Sequence, residues 1–291
     1  YYTSRFFPPL SVTGFGCALN CLHCRHELLR MMTPAKTPES FIKKCVKLEE
    51  EGAKGVLISG GCLPDFTIPI EKFTDAISEV KKKTNLFLLA HTGLLNVKKA
   101  KLLVKCGVEG VALDVVGSPE TTRKVYGVKI EEKSYVETLK AVEEADIQTV
   151  SPHVCVGLNF GRLKGEVEAL KTISTIKPTT IVVTVLTPIP GTPMENCLVK
   201  PLDVAKVVAI AKLMFPKIPI TLGCASSKAT VKERVEKLAF SAGVTNIALP
   251  TKKTYETVKN EGYGVEFFGA CCAVPPTRKF KLKSPPWEMS G

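Results

Sequence analysis

The chain contains a single glutamine, Gln148, and only seven arginines against 33 lysines. No apolar run approaches the roughly 18 residues of a membrane-spanning helix. No charged, apolar and small-residue signal pattern opens it. A cytoplasmic protein without a membrane partner is therefore expected. No low-complexity or Pro/Gly/Ser-rich stretch divides the chain, so nothing marks a linker between two domains. At 23% charged residues, with abundant Val, Ile and Leu, a mostly disordered chain is excluded. The eleven cysteines are an odd number without a secretion signal, which argues against a disulfide framework. They point instead to metal or redox chemistry, or to small buried hydrophobes.

The 291 residues, 45% of them hydrophobic, suffice for one large barrel or two modest domains. The net charge is +12. Lys-rich, Gln-poor composition is a pattern of hyperthermophiles. A pI near 9.1 suits an acidic partner, either nucleic acid or protein. The charge is spread over every helix rather than gathered in one basic arm, and no RNA-recognition motif is present. A solvated lysine coat is the simpler reading, and a nucleic-acid partner is not expected.

Short apolar, β-branched runs recur at Leu10–Thr13, Gly55–Ser59, Leu86–Ala90, Gly110–Asp114, Thr149–Val156, Thr180–Leu186, Ile218–Leu222 and Thr245–Ala248. Continuous apolar strands are the mark of parallel sheets buried on both faces. Amphipathic helical segments alternate with them at Pro38–Glu51, Pro69–Lys82, Val97–Cys106, Glu131–Glu144, Gly165–Ile176, Pro201–Met214, Thr230–Ala242 and Thr251–Asn260. Gly52, Gly107 and Gly243 stand where helix C-caps belong. Strict alternation over this length predicts an α/β fold, a single (β/α)8 TIM-type barrel over 1–262. A doubly wound open sheet is the alternative. Residues 263–291, with one more short strand within Tyr263–Phe268 and four prolines beyond, are expected as an irregular, surface-laid C-terminal extension over the barrel mouth.

Directly after the first strand stands Cys17-Ala-Leu-Asn-Cys21-Leu-His-Cys24. Three thiolates on so short a loop can face one point, and soft sulfur ligands suit iron–sulfur clusters and zinc. Three ligands on a four-iron cluster leave one iron open to a small molecule. Zinc would take a fourth ligand from His23 or His26. Ser59-Gly60-Gly61-Cys62 follows the second strand, where two glycines let the backbone approach a ligand.

The cysteine spacing and its place after the first strand resemble the radical S-adenosylmethionine superfamily. The resemblance runs from about Leu10 to Cys272. It implies a 4Fe-4S cluster on Cys17, Cys21 and Cys24 whose open iron binds S-adenosylmethionine. Reductive cleavage then yields a 5′-deoxyadenosyl radical that abstracts a substrate hydrogen. It places His23 near the adenine and gives Ser59, Gly60 and Gly61 the methionine amino group, with Cys62 departing from the usual acidic residue. Gly157, Gly161 and Glu166 would cradle the adenosine or methionine moiety, and Pro190 and Gly191 would fix a loop at the mouth. His91 and Asp114, at the ends of strands three and four, would orient ribose, methionine or substrate.

Cys62, Cys224, Cys271 and Cys272 are candidates for an auxiliary iron–sulfur cluster, with Cys155 in reserve. Cys45 and Cys106 fall on apolar helix faces and read as packing. Biotin and lipoyl synthases resemble this chain in using such a cluster as sulfur donor. Leu222-Gly-Cys224-Ala and the terminal Cys-Cys resemble archaeal two-component lipoyl synthases, although Ser226-Ser227 replaces the usual Arg-Pro. The resemblance implies sulfur insertion into an octanoylated carrier protein, yielding a lipoylated one. It also implies a paralogous radical partner and a ferredoxin- or flavodoxin-type electron donor. Two alternatives remain open. One is a biotin synthase-like or cofactor-maturation enzyme with a small-molecule substrate, and the other is a zinc- or cluster-containing nucleic-acid-binding protein.

Overall fold

Local signals start and stop the helices. Thr37, Asn96, Ser118 and Thr251 each accept a hydrogen bond from the backbone N–H three residues on, and Pro38 and Pro119 occupy first helical positions, as N-caps require. Gly107 and Gly127 end their helices in the left-handed conformation, which a residue without Cβ adopts freely. In this computed structural model, residues 1–3, 5–225, 229–285 and 287 are described. Ser226 and Ser227, the departure noted above, lie outside the described residues.

The strands are β1 (Pro9–Ser11), β2 (Thr33–Pro34), β3 (Gly55–Ser59), β4 (Phe87–Thr92), β5 (Gly110–Asp114), β6 (Thr149–Val156), β7 (Ile181–Val185), β8 (Ile220–Leu222) and β9 (Asn246–Ile247). They form one parallel sheet in the order β2-β1-β3-β4-β5-β6-β7-β8-β9. The eight expected strands are all present, and β2 is a ninth at one end. The helices are α1 (Glu27–Arg30), α2 (Pro38–Glu50), α3 (Thr74–Lys83), α4 (Val97–Cys106), α5 (Pro119–Tyr126), α6 (Glu132–Glu144), α7 (Glu166–Ile173), α8 (Pro201–Met214), α9 (Ala229–Ser241) and α10 (Lys252–Asn260). The segment expected as one helix from Pro69 divides into a 3-10 turn at Ile70–Phe73 and then α3. No helix among the described residues is long and apolar enough to cross a membrane.

Consecutive parallel strands joined by helices make this a TIM-type barrel. Val56, Ile58, Leu88, Val111, Leu113 and Val183 pack outward against the helices. The alternate residues Leu57, Leu89, Ala112 and Val182 belong to a second cluster inside the sheet. Among the described residues no strand pairing joins β9 to β1 or β2. The N-terminal segment crosses there, since Leu249 N donates to Tyr1 O at 2.8 Å and Lys54 N to Phe6 O at 2.8 Å.

The C-terminal segment corrects the expected surface-laid lid over the mouth. Strands β10 (Phe267–Phe268) and β11 (Lys281–Leu282) pair antiparallel. Between them Ala270, Cys271, Cys272, Ala273 and Val274 are buried with Leu89, Ala112 and Val182. Ser151 Oγ donates to Ala273 O at 2.5 Å. Lys279 Nζ donates to Asn85 O at 2.8 Å and Lys54 Nζ to Lys279 O at 3.4 Å. Asn85 and Lys54 precede β4 and β3, so the segment enters from the N-terminal strand ends, opposite the cysteine loop. The reason is hydrophobic: Phe280 meets Phe87 at 5.8 Å and Phe7 at 6.3 Å between ring centroids, and small Ala112 leaves room inside. Phe280→Ala is expected to cost about 3–5 kcal/mol, the usual range for deleting a buried ring. Chemical denaturation would measure it, with iron binding at the distant cysteine loop unchanged.

Candidate active site

The loop after β1 is drawn tight by its own polar groups. Ser11 Oγ donates to Gly14 O at 2.6 Å, and the His26 ring Nε2 lies 2.7 Å from Leu19 O. Arg25 and His26 take positive φ angles of 44° and 70°, which L-residues adopt only under constraint. The same loop is bonded to the end of β3. Ala18 N donates to Cys62 O at 2.8 Å and Gly61 N to Thr13 Oγ1 at 2.7 Å. Ser59 O is taken by Val12 N. The carbonyls of Gly60 and Gly61 remain without a partner among the described residues, the acceptors an ammonium group needs.

The donor atoms of Cys21, His23 and Cys24 lie within 4.8 Å of one another. A hydrogen bond from Cys21, reinforced by His23, holds the Cys24 thiol down at about 4. Cys17 is lowered to about 6 by a hydrogen bond from Cys62. Cys21 and Cys62, the donors of those bonds, are pushed up. Two of the three loop thiols, Cys17 and Cys24, are thus held toward the thiolate that a soft metal centre takes, and a loop offering three cysteine sulfurs fits an iron–sulfur cluster.

A cavity of about 180 Å³ opens on this loop at the C-terminal strand ends, where barrel sites form. Cys17, Cys21, His23, Cys24, Ser59, Gly60, Gly61, Cys62, His91 and Asp114 all line it, so these expected site residues come together. Ser59 Oγ donates to His91 O at 3.0 Å. His91 Nε2 lies 3.6 Å from Asp114 Oδ2. Phe66 and Tyr126 stack at 5.3 Å, with His23 5.6 Å from Tyr126, making an aromatic wall. Sequence reasoning missed Phe66 and Tyr126, which line the cavity. Tyr126 ends α5, an eight-residue helix whose Ser118-Pro119 start and Gly127 stop were its only signal. His153 lies buried on β6 with its ring 5.3 Å from that of His91. Burial, and then His91, lower it to about 4.

Other expected site residues lie elsewhere. Glu166 spends its carboxylate on Gly157 N at 2.9 Å and Lys164 N at 2.6 Å, and burial raises its pKa. A Cβ on Gly157 would lie 2.5 Å from Val199 Cγ2, and one on Gly161 2.5 Å from Leu198 O. Those glycines serve packing against the Leu198–Val199 segment. Gly191 is exposed and its N–H donates to Glu195 Oε2 at 2.8 Å. None of Gly157, Gly161, Glu166, Pro190 or Gly191 lines the cavity.

The proposed auxiliary set is also divided. Cys62 joins Cys17 in the cavity wall, whereas the thiol of Cys224 hydrogen-bonds that of Cys272, which in turn bonds Cys271. The bond to Cys272 pushes the Cys224 thiol well up. Cys155 bonds Thr184, and burial lifts it to about 12. The division follows from the C-terminal segment, which carries Cys271 and Cys272 up the barrel axis to Cys224 rather than across the mouth to Cys62.

A family profile described as the Radical SAM superfamily matches residues 11–170, and one described as the Biotin and Thiamin Synthesis associated domain matches residues 183–264. The chain is 26% identical over 251 residues to a biotin synthase of Neorickettsia sennetsu, covering 82% of this chain and 74% of that protein. It is 24% identical over 282 residues to a biotin synthase of Buchnera aphidicola, covering 92% and 79%. Among solved structures, methylornithine synthase superposes with a TM-score of 0.61 at 21% identity, covering 85% of this chain and 73% of that one. The FeFe-hydrogenase maturase HydG of Carboxydothermus hydrogenoformans gives 0.62 at 18%, covering 90% and 68%. At such identities the likeness is one of fold.

Proposed function

The chain belongs to the radical S-adenosylmethionine superfamily, and on that basis we propose that it inserts sulfur at an unactivated carbon of a small-molecule substrate. As a member of that family it uses a 4Fe-4S cluster and S-adenosylmethionine, and it needs an electron donor. When bound, these cofactors supply one-electron chemistry strong enough to take hydrogen from an unactivated C–H bond. Cys17, Cys21 and Cys24 would hold the cluster. The free carbonyls of Gly60 and Gly61 would accept the methionine ammonium, and the Phe66–Tyr126–His23 wall would flank the adenine. The chain's part is to position the carbon and keep water out.

The observation that carries the reading is the convergence of the three loop cysteines with Gly60, Gly61, His91 and Asp114 around one small cavity. The relatives named biotin synthase favour the small-molecule substrate over the octanoyl-lysyl carrier expected from the terminal cysteines. The meeting of Cys224 with Cys271 and Cys272 keeps the carrier reading as second. In either reading those three thiols would hold the auxiliary cluster that donates sulfur, and a ferredoxin or flavodoxin would deliver electrons.

The test is anaerobic reconstitution with iron and sulfide, then incubation with S-adenosylmethionine, a reductant and either dethiobiotin or an octanoyl-lysine peptide. Product carrying added sulfur from dethiobiotin supports the first reading, and from the peptide the second. Absence of S-adenosylmethionine cleavage in reconstituted protein would overturn both.

A further inference from the structure

Cys62 is the thiol of the cavity wall that belongs neither to the cysteine loop nor to the chain of thiols formed by Cys224, Cys272 and Cys271. Two backbone bonds hold it against the loop. Its carbonyl accepts from Ala18 N at 2.8 Å, and the N–H of Gly61 before it donates to Thr13 Oγ1 at 2.7 Å. Beyond it the chain turns at once. Leu63 N donates to Thr67 O at 2.7 Å, and Asp65 Oδ1 accepts from Thr67 N and Oγ1. The approach to the loop is close, since a Cβ on Gly61 would lie 2.6 Å from Cys17 Cβ and 2.7 Å from Cys17 Cα. Cys62 and Cys17 line the same cavity, and their two sulfurs are hydrogen-bonded.

Ligation fixes the sense of that bond. A cysteine that binds a metal does so as the thiolate and has no proton to give. With Cys17 as a loop ligand, the S–H of Cys62 is the donor between the two sulfurs. Cys62 keeps its proton because a second sulfur anion beside the first would add like charge, and Asp114 already stands in the same wall. A hydrogen bond to a cluster sulfur draws off negative charge. It therefore favours the reduced form, which carries one more electron, over the oxidised form.

We propose that Cys62 is a positioning residue that acts through Cys17: its S–H donates to the Cys17 sulfur and raises the potential at which a cluster on Cys17, Cys21 and Cys24 accepts an electron. The inference rests on the family's cluster at this loop and not on which substrate receives sulfur. It takes Cys62 out of the auxiliary thiols and gives it to the radical centre.

The experiment is EPR-monitored potentiometry of reconstituted wild type, Cys62→Ala and Cys62→Ser, with iron counted in each. The loop cluster is the signal that changes when S-adenosylmethionine is added. Cys62→Ala is expected to bind as much iron as wild type and to be reduced about fivefold less favourably, the size of one net hydrogen bond. That is a fall of about 40 mV, at about 59 mV per tenfold for one electron. Cys62→Ser, which keeps a donor at this place, is expected to lie close to wild type. A thiol that only packed would not separate alanine from serine in potential. Equal potentials in wild type and Cys62→Ala, or a Cys62→Ser potential no higher than that of Cys62→Ala, would overturn the proposal. So would loss of loop iron in Cys62→Ala, which would make Cys62 a ligand. Wild type without iron at the loop would sink the radical reading as well, whereas coinciding potentials in iron-loaded protein would leave that reading standing.

Discussion

Protein in which Cys17, Cys21 and Cys24 are all replaced by alanine is expected to cleave no S-adenosylmethionine and to lose the iron bound at this loop. The three thiols are the soft donors of a loop that the fold has already closed. The His26 ring contact with Leu19 O at 2.7 Å and the Ala18 N bond to Cys62 O at 2.8 Å fix it on both sides. The loop itself survives the substitution, because none of those bonds uses a cysteine side chain. The loss therefore reports ligation and not unfolding. Iron and sulfide quantification beside wild type, with anaerobic assay of S-adenosylmethionine cleavage, checks it. Iron retained after Cys224, Cys271 and Cys272 are also replaced would sink the assignment.

Gly61→Ala is expected to have the second-largest effect, again on the cluster. A Cβ there would lie 2.0 Å from Gly16 O and 2.6 Å from Cys17 Cβ, distances no carbon tolerates. Neither side can withdraw easily, since Gly61 N is bonded to Thr13 Oγ1 at 2.7 Å and Cys62 O to Ala18 N. The methyl group is expected to push Cys17 out of line with Cys21 and Cys24. The overpacking should lower stability by about 1–3 kcal/mol and sharply reduce reconstituted iron. Gly191→Ala is the control. Its Cβ meets nothing within 4 Å, although its φ is +78°. It should cost only about 1–2 kcal/mol of backbone strain and leave iron content unchanged. Equal iron in Gly61→Ala and wild type would contradict the packing described.

The cysteine spacing, the β/α alternation and the glycine pair after β3 were legible because each is a local device. A loop of eight residues fixes its own thiols. An apolar run of five residues declares a buried strand, and a glycine marks a close approach. Glu166 shows where such reasoning fails. In the sequence it closes a glycine-rich segment that looks like a ligand cradle. In the fold its carboxylate is taken by the backbone of Gly157 and Lys164, because a buried carboxylate satisfies the nearest donors.

The sequence by itself determined the parallel barrel architecture, the three-cysteine centre at the end of its first strand and the family to which the chain belongs. Tertiary structure alone decided which distant residues share a site. It put Cys62 with Cys17 and brought Cys271 and Cys272 to Cys224. It seated His153 against His91 and sent the C-terminal segment into the barrel from below. The physical reason is that these contacts link residues far apart in the chain, and nothing in local spacing encodes them. They follow from how aromatic side chains such as Phe280 find buried surface and how small residues such as Ala112 leave space on the barrel axis.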